Sequence, residues 1–225
     1  ERHIVILREH CEKYAADIKI KQIFKDSFQV TILDEPTLSA PETVVKCIEK
    51  NNIEGTVVVK DCDCLVSFDM PNMNKFVVGL DIHTQNVKNI TAKSFIQYDE
   101  NNIIQNIVEK RVVSDLISLG VYSIPSQLIL TAYEALASIA TSELYFSHIV
   151  SFLVSSGETF SMIPANAFLD WGTSEEWHEY TSNLRTYIFD IDGIFLENRG
   201  RYGKETWENT FIPIEENIKV LKQLS

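Results

Sequence analysis

The chain is poor in clustered glycine and in cysteine. Its 225 residues include eight glycines and four cysteines, and no two glycines are spaced as G-x-G. The lack of clustered glycines excludes the dinucleotide fingerprint and the phosphate-binding P-loop, because both need clustered glycines that bring backbone N–H groups onto phosphate. The few cysteines, in a chain large enough to bury its own core, are interpreted as free thiols.

Basic clusters and long apolar runs are also missing. The chain has 20 Lys+Arg against 32 Asp+Glu, a net charge of −12, and no block of basic residues, so nucleic acid is not an expected partner. No apolar run approaches the roughly 18–20 residues that span a bilayer. The first residues lack the apolar region of a secretory signal. We therefore expect a cytoplasmic protein that does not bind membranes.

The first 60 residues alternate between strand and helix patterns. Apolar runs predict strands at 3–7, 30–33 and 56–59, with helices between them at about 8–24 and 39–50. The run at 56–59 is continuously apolar, as in a buried strand of a parallel sheet. The alternation predicts an α/β domain.

Later segments add strands and then helices. Strands are predicted at 92–98 and 103–108, separated by a turn at Asp99-Glu100-Asn101-Asn102. Helices are predicted at about 126–139 and 142–156.

The pattern changes again near the C-terminus. The sequence Thr173-Ser174-Glu175-Glu176 has the form of a capping box and predicts a short helix. A new apolar strand at 184–189 and a terminal helix from Pro213 follow. We therefore expect two domains, covering residues 1–182 and 183–225.

Acidic residues follow directly on the strand at 56–59. Asp61 and Asp63 lie at the carboxyl end of this predicted parallel strand, where open α/β sheets bind ligands, and their oxygens suit Mg²⁺. A turn with solvated acids is the alternative. Cys62 and Cys64 flank Asp63, but a C-x-C pair without a second Cys/His pair makes a poor zinc site.

Two further segments carry candidate functional groups. Asp170 precedes the capping box and can join Asp63, because a metal that carries a nucleoside triphosphate is commonly held by carboxylates from separate segments. Simple helix entry is the alternative. Glu109 and Lys110 end a strand and can hold a sugar hydroxyl and a phosphate, or be a solvated charge pair. Lys93 is a further cationic candidate.

These segments together resemble the sugar-phosphate nucleotidyltransferase family. Asp61-x-Asp63, Glu109-Lys110, Gly120-Val121-Tyr122 and Asp170-Trp171-Gly172-Thr173 occur in the family's order and approximate spacing, over roughly residues 1–182. Residues 33–44 resemble the family's loop and helix near the nucleotide base. The resemblance implies an α/β, Rossmannoid GT-A-like mixed sheet flanked by helices, with a partial second α/β module at the C-terminus.

The resemblance also implies a reaction. A nucleotidyl group would move from an NTP to a sugar phosphate or similar phosphorylated acceptor, with Mg²⁺ as cofactor and release of pyrophosphate. The implied setting is the synthesis of capsule or other surface-polysaccharide precursors. It makes Asp63 and Asp170 the metal ligands, with Asp61 in reserve. The substrate-binding residues it implies are Glu109, Lys110, Gly120 and Thr173, and the catalytic residues are Asp63, Asp170 and Lys110.

The chain departs from the family in one respect. The family begins with a strand and a glycine-rich loop that wraps the triphosphate, and the 225 residues contain no such cluster. We expect the chain to enter the family pattern after this loop and to be a poor catalyst alone. Asp61-x-Asp63 also fits the D-x-D motif of a GT-A-type glycosyltransferase, and a catalytically impaired binding or regulatory module is the non-enzymatic alternative.

A last motif lies near the C-terminus. Asp190-Ile191-Asp192-Gly193 follows an apolar strand and resembles the first motif of haloacid-dehalogenase-type phosphatases. By that resemblance Asp190 would be the nucleophile and Asp192 the general acid/base. The later motifs of that family do not occur before Ser225. We therefore expect residues 183–225 to be the beginning of such a domain, without phosphatase activity in this chain.

Overall fold

The computed structural model describes residues 1–85, 87–182, 184, 189, 194–196 and 213–224. The chain divides into two compact units, Glu1–Gly172 and Thr173–Ser225. The expected domains 1–182 and 183–225 remain predictions. Asp190 and Asp192 lie outside the described residues, as does most of the strand predicted at 184–189.

The described part of the first unit alternates between strands and helices. Its strands are β1 (His3–Leu7), β2 (Gln29–Leu33), β3 (Thr56–Lys60), β4 (Cys64–Ser67), β5 (Phe76–Asp81), β6 (Ser94–Tyr98), β7 (Ile104–Glu109), β8 (Leu116–Pro125), β9 (Ser161–Pro164) and β10 (Ala167–Asp170). Its helices are α1 (Arg8–Tyr14), α2 (Ala16–Phe24), α3 (Ala40–Asn51), α4 (Ser126–Ala137) and α5 (Phe146–Ser155), with short 3-10 helices at Lys25–Ser27 and Ile90–Ala92. The second unit contains α6 (Ser174–Ser182) and α7 (Glu215–Leu224).

A mixed sheet forms the centre of the first unit. Its order is β7-β6-β8-β5-β9, and β3 pairs with β8 outside this path. Strands β5 and β9 run parallel, whereas the other pairs are antiparallel. Two small sheets accompany it, a parallel pair β1-β2 and an antiparallel pair β4-β10. The predicted α/β class, a mixed sheet flanked by helices, is confirmed.

Strand β3 corrects one expectation. Its continuous apolar run predicted a buried strand of a parallel sheet, but β3 runs antiparallel to β8, with Val59 opposite Tyr122. Val58 is 46% exposed, so one face of the strand is only partly covered. Valine favours any extended strand, and the direction of the partner depends on distant residues that a local pattern does not contain.

The central sheet packs on both faces. On one face the side chains of α3, α4 and α5 form a core with strand residues such as Val77, Ile96 and Ile124. On the other face, alternate strand residues such as Phe76 and Phe95 pack against the β4-β10 pair. Side chains alternate between the faces of a strand, so one set of strands serves both cores.

Local signals locate several elements as predicted. Ser39 caps α3 by accepting a hydrogen bond from Glu42 N at 3.3 Å, and Asn102 closes the predicted turn with its N–H on Asp99 O at 3.0 Å. The helix predicted at about 8–24 is instead two helices, because Ala15 adopts a left-handed φ of 51°. Within the described residues, no helix combines the length and apolar character needed to cross a bilayer.

Candidate active site

Asp63 and Asp170 meet at the joined ends of β4 and β10. Asp170 pairs with Cys64 in the antiparallel register, and Trp171 N donates to Asp63 O at 2.8 Å. A Cβ built on Gly172 would lie 3.1 Å from Asp63 Oδ2 and 3.3 Å from Asp170 Oδ1. Both carboxylates therefore approach one point, where glycine leaves space between them.

Lys93 joins this carboxylate pair to the neighbouring strands. Its ammonium forms an ion pair with Asp170 Oδ2, and its carbonyl accepts a hydrogen bond from Lys110 N at 3.1 Å. The side chains of Lys93 and Asp170 are only 22% and 14% exposed. The metal candidates and the Glu109-Lys110 segment are thus adjacent in the fold.

The donor set suits a hard cation. Carboxylate oxygens of Asp63 and Asp170 are the ligand type that Mg²⁺ prefers, and Mg²⁺ usually keeps several waters and binds through one or two carboxylates plus phosphate oxygens. Among the described residues, no group of three or more His, Cys, Asp or Glu side chains is arranged to hold a metal ion. The pair at Gly172 therefore fits a partly open magnesium site rather than a closed protein cage.

Asp61 faces a different neighbour. Asp61 N donates to Gly120 O at 3.0 Å, and a Cβ on Gly120 would lie 2.7 Å from Asp61 Cγ. Gly120 has a φ of +70°, so the backbone bulges where the Asp61 carboxyl packs. Asp61 as a whole residue is exposed to solvent, but desolvation of its carboxyl group where it packs against Gly120, aided by the charge of Asp63, raises the pKa of Asp61 to about 6.

The raised pKa predicts a pH-dependent stability effect. The folded state keeps the Asp61 proton up to about pH 6, whereas the unfolded chain releases it near pH 4. This proton stabilises the folded state at low pH, and the contribution is lost as the pH rises from about 4 to about 6. Relative to the wild type, Asp61→Asn should therefore gain about 1 kcal/mol of unfolding free energy between pH 4 and pH 7.5, after allowance for solvent screening.

Urea denaturation at both pH values, with EDTA present, measures this gain. Asp69→Asn is the matched control, because Asp69 is an exposed carboxylate outside the site. An equal difference from wild type at the two pH values would contradict the prediction for Asp61.

Glu109 is held by two serines. Ser94 Oγ and Ser147 Oγ each donate to Glu109 Oε2 at 2.5 Å. Hydrogen bonds to an ionised carboxylate are among the stronger ones in proteins. They fix the orientation of the carboxylate. Within the described part of the chain no hydrogen bond engages Oε1, so this oxygen can accept one from a ligand hydroxyl.

Lys110 lies on the exposed side of the same strand end. Its Nζ donates to Tyr145 Oη at 2.6 Å, and Tyr145 Oη donates to Glu143 Oε2 at 2.6 Å. The hydrogen bond with Tyr145 raises the pKa of Lys110, so the side chain is protonated at neutral pH. Its φ of 53° is left-handed, which turns the chain sharply after Glu109.

The remaining candidates have structural roles in the described residues. Thr173, in the second unit, forms the predicted capping box, because Glu176 N donates to Thr173 Oγ1 at 3.2 Å and Thr173 N donates to Glu176 Oε2 at 3.0 Å. The four cysteines are free thiols, as predicted. Cys64 is buried and Cys62 is exposed, so they do not form a common metal-binding pair.

Some residues of the site carry little signal in the sequence. Ser147 and Tyr145 hold Glu109 and Lys110, although both belong to a helix start that is far away along the chain. Ser147 is fully buried within an apolar helix. A buried serine among apolar residues needs a hydrogen-bond partner, and this need was the available signal.

Comparison with known proteins adds a structural likeness. No protein-family model and no curated protein sequence matches the chain. Solved structures do match. A nucleoside-diphosphate-sugar pyrophosphorylase from Vibrio cholerae RC9 has a TM-score of 0.67 at 17% identity, over 80% of each chain. The chain therefore shares the fold of this pyrophosphorylase.

Two further structures share this fold. An inositol-1-phosphate CTP transferase from T. maritima has a TM-score of 0.59 at 12% identity, over 76% of this chain and 70% of its own. A UDP-glucose pyrophosphorylase complexed with UDP-glucose has a TM-score of 0.58 at 12% identity, over 80% of each chain. At these identities the likeness concerns the fold, and the chemistry has to be argued from the side chains.

Proposed function

We propose that the chain is a nucleotidyltransferase domain that moves a nucleotidyl group from an NTP to a sugar phosphate or similar phosphorylated small molecule, using Mg²⁺ and releasing pyrophosphate. The observation that carries the proposal is the approach of Asp63 and Asp170 to one point at Gly172. The shared fold with pyrophosphorylases and a CTP transferase supports it. Precursor synthesis for a surface polysaccharide is the setting that we propose from the sequence resemblance.

In this proposal one set of side chains binds the metal ion and another set binds the acceptor. In this reaction an acceptor phosphate oxygen attacks the α-phosphorus in line, and pyrophosphate leaves, so positioning and charge neutralisation matter most. Mg²⁺ held by Asp63 and Asp170 would neutralise phosphate charge. Glu109 accepts a hydrogen bond from an acceptor hydroxyl through Oε1, and the Lys110 ammonium binds the acceptor phosphate.

The D-x-D alternative is less well supported. A glycosyltransferase would use Asp61 and Asp63 together on one nucleotide-sugar metal. Here the Asp61 carboxyl packs against Gly120, while Asp63 approaches Asp170 at Gly172. This geometry favours Asp170 over Asp61 as the second carboxylate beside Asp63 and so supports the nucleotidyltransferase proposal.

Calorimetric titration with nucleotides tests the proposal. The chain is titrated with CTP, UTP, dTTP, ATP and GTP, each with Mg²⁺, and with UDP-glucose. We expect Mg²⁺-dependent binding of at least one NTP, weakened at least about 100-fold in Asp63→Asn and in Asp170→Asn because each loses a charged ligand. Asp69→Asn, an exposed carboxylate outside the site, should bind as the wild type does.

Other outcomes decide between the alternatives. Preference for UDP-glucose over every NTP would favour the glycosyltransferase. No nucleotide binding at all would favour a binding or regulatory module with another ligand. NTP binding that both Asp variants retain would contradict the metal assignment.

A further inference from the structure

The acidic group at Gly172 already contains a cation. The Lys93 ammonium forms an ion pair with Asp170 Oδ2, and Gly172 N donates to Asp170 Oδ1 at 3.2 Å. Both oxygens of this carboxylate are therefore engaged, one by a backbone amide and the other by a side chain that can move.

A second lysine of this turn, Lys60, contacts backbone carbonyls instead of the carboxylates. Lys60 Nζ donates to the backbone carbonyls of Asp61 at 2.6 Å and Cys64 at 2.5 Å. These contacts stabilise the turn that carries Asp63, and they do not engage the Asp63 or Asp170 carboxylates. Lys93 is thus the lysine of this turn region that meets the carboxylate pair directly.

Lys93 lies in a confined position. Its Nζ lies 5.8 Å from the centroid of the Phe168 ring, and its side chain is 22% exposed. Partly buried ion pairs are screened less by salt than exposed ones. A divalent ion on Asp170 would share a carboxylate with this ammonium, and like charges at such a separation repel strongly.

We propose that Lys93 is the resident counter-cation of the Asp63–Asp170 pair, and that a divalent cation binds by displacing the Lys93 ammonium from Asp170. The inference rests on the proposed function, because it takes these two aspartates as the metal ligands. Lys93 neutralises one of the two carboxylate charges when no metal is bound. The exchange lowers metal affinity, because a binding metal ion must first break the Lys93–Asp170 ion pair.

Metal titration of Lys93→Met tests the exchange without any activity measurement. Mn²⁺ binding is followed by electron paramagnetic resonance, and Mg²⁺ affinity is obtained by competition. Lys93→Met should bind both ions about tenfold more tightly than the wild type, because the competing positive charge is gone. Lys93→Arg keeps the charge and should bind within about twofold of the wild type.

A second ion pair supplies the matched control. Lys75 Nζ pairs with Glu158 Oε2 at 2.5 Å, with both side chains about one-third exposed. Lys75→Met should therefore leave metal affinity unchanged. Thermal unfolding in EDTA and in Mg²⁺ gives a second measurement, in which Mg²⁺ raises the Tm of Lys93→Met more than that of the wild type.

The outcomes distinguish the counter-cation role of Lys93 from the assignment of Asp63 and Asp170 as metal ligands. If wild type binds Mn²⁺ through Asp63 and Asp170, but Lys93→Met binds equally or more weakly, the counter-cation role is wrong and the metal site stands. If neither protein binds Mn²⁺, the metal assignment in the proposed function is wrong, and the inference is overturned with it.

Discussion

Gly120→Ala should lower the unfolding free energy of the first unit by about 3 kcal/mol, because two penalties act together. Gly120 has a φ of +70°, a backbone conformation that residues with a Cβ rarely adopt. The added Cβ would also overlap the carboxyl of Asp61, lying 2.7 Å from its Cγ. Urea denaturation followed by circular dichroism measures the change.

Two controls separate these penalties. Gly55 has a φ of +83° with no atom within 4 Å of an added Cβ, so Gly55→Ala isolates the backbone strain and should cost about 1 kcal/mol. In an Asp61→Ala background, Gly120→Ala should then cost little more than Gly55→Ala. Equal effects of Gly120→Ala with and without Asp61 would show that the two residues are not coupled.

Tyr122→Ala should destabilise the first unit by about 4 kcal/mol. Tyr122 is 5% exposed and stacks on Phe146, with ring centroids 5.4 Å apart. Its hydroxyl accepts a hydrogen bond from Ser118 Oγ at 3.0 Å. Tyr122→Phe keeps the stack and removes only the hydroxyl with its hydrogen bonding, so it should cost about 1 kcal/mol.

The effect should extend to the acceptor residues. Phe146 begins α5, and its neighbours Tyr145 and Ser147 hold Lys110 and Glu109. Loss of the Tyr122 ring removes the packing that holds this helix start. Tyr98→Ala, at a 45% exposed tyrosine of β6, is the control and should change stability by less than about 1 kcal/mol. A similar loss in both variants would contradict a specific role for Tyr122.

Features with short-range causes were predictable from the sequence. The cap of α3 joins Ser39 to Glu42, and the cap of α6 joins Thr173 to Glu176. In both, the two partners lie three residues apart, so the residue types alone identify the contact. The turn at Asp99 follows the same reasoning, since its side chain accepts from Asn101 N at 2.9 Å.

Features with long-range causes were not predictable from the sequence. The antiparallel direction of β3 is set by β8, and the break at Ala15 has no glycine or proline to announce it. The different surroundings of Asp61 and Asp63 also depend on distant glycines. The resemblance ranks Asp63 above Asp61, but only the placement of Gly120 and Gly172 beside them shows how their surroundings differ.

The sequence by itself determined the α/β pattern, the acidic and lysine-bearing segments and the sparse glycines, because composition and periodicity are local properties. Only the tertiary structure decided which of these groups act together. Lys93 and Asp170 are 77 residues apart along the chain, and strand pairing brings their charges into contact. The pairing of a charge in a folded protein is set by the packing of the whole sheet, and no single segment contains that information.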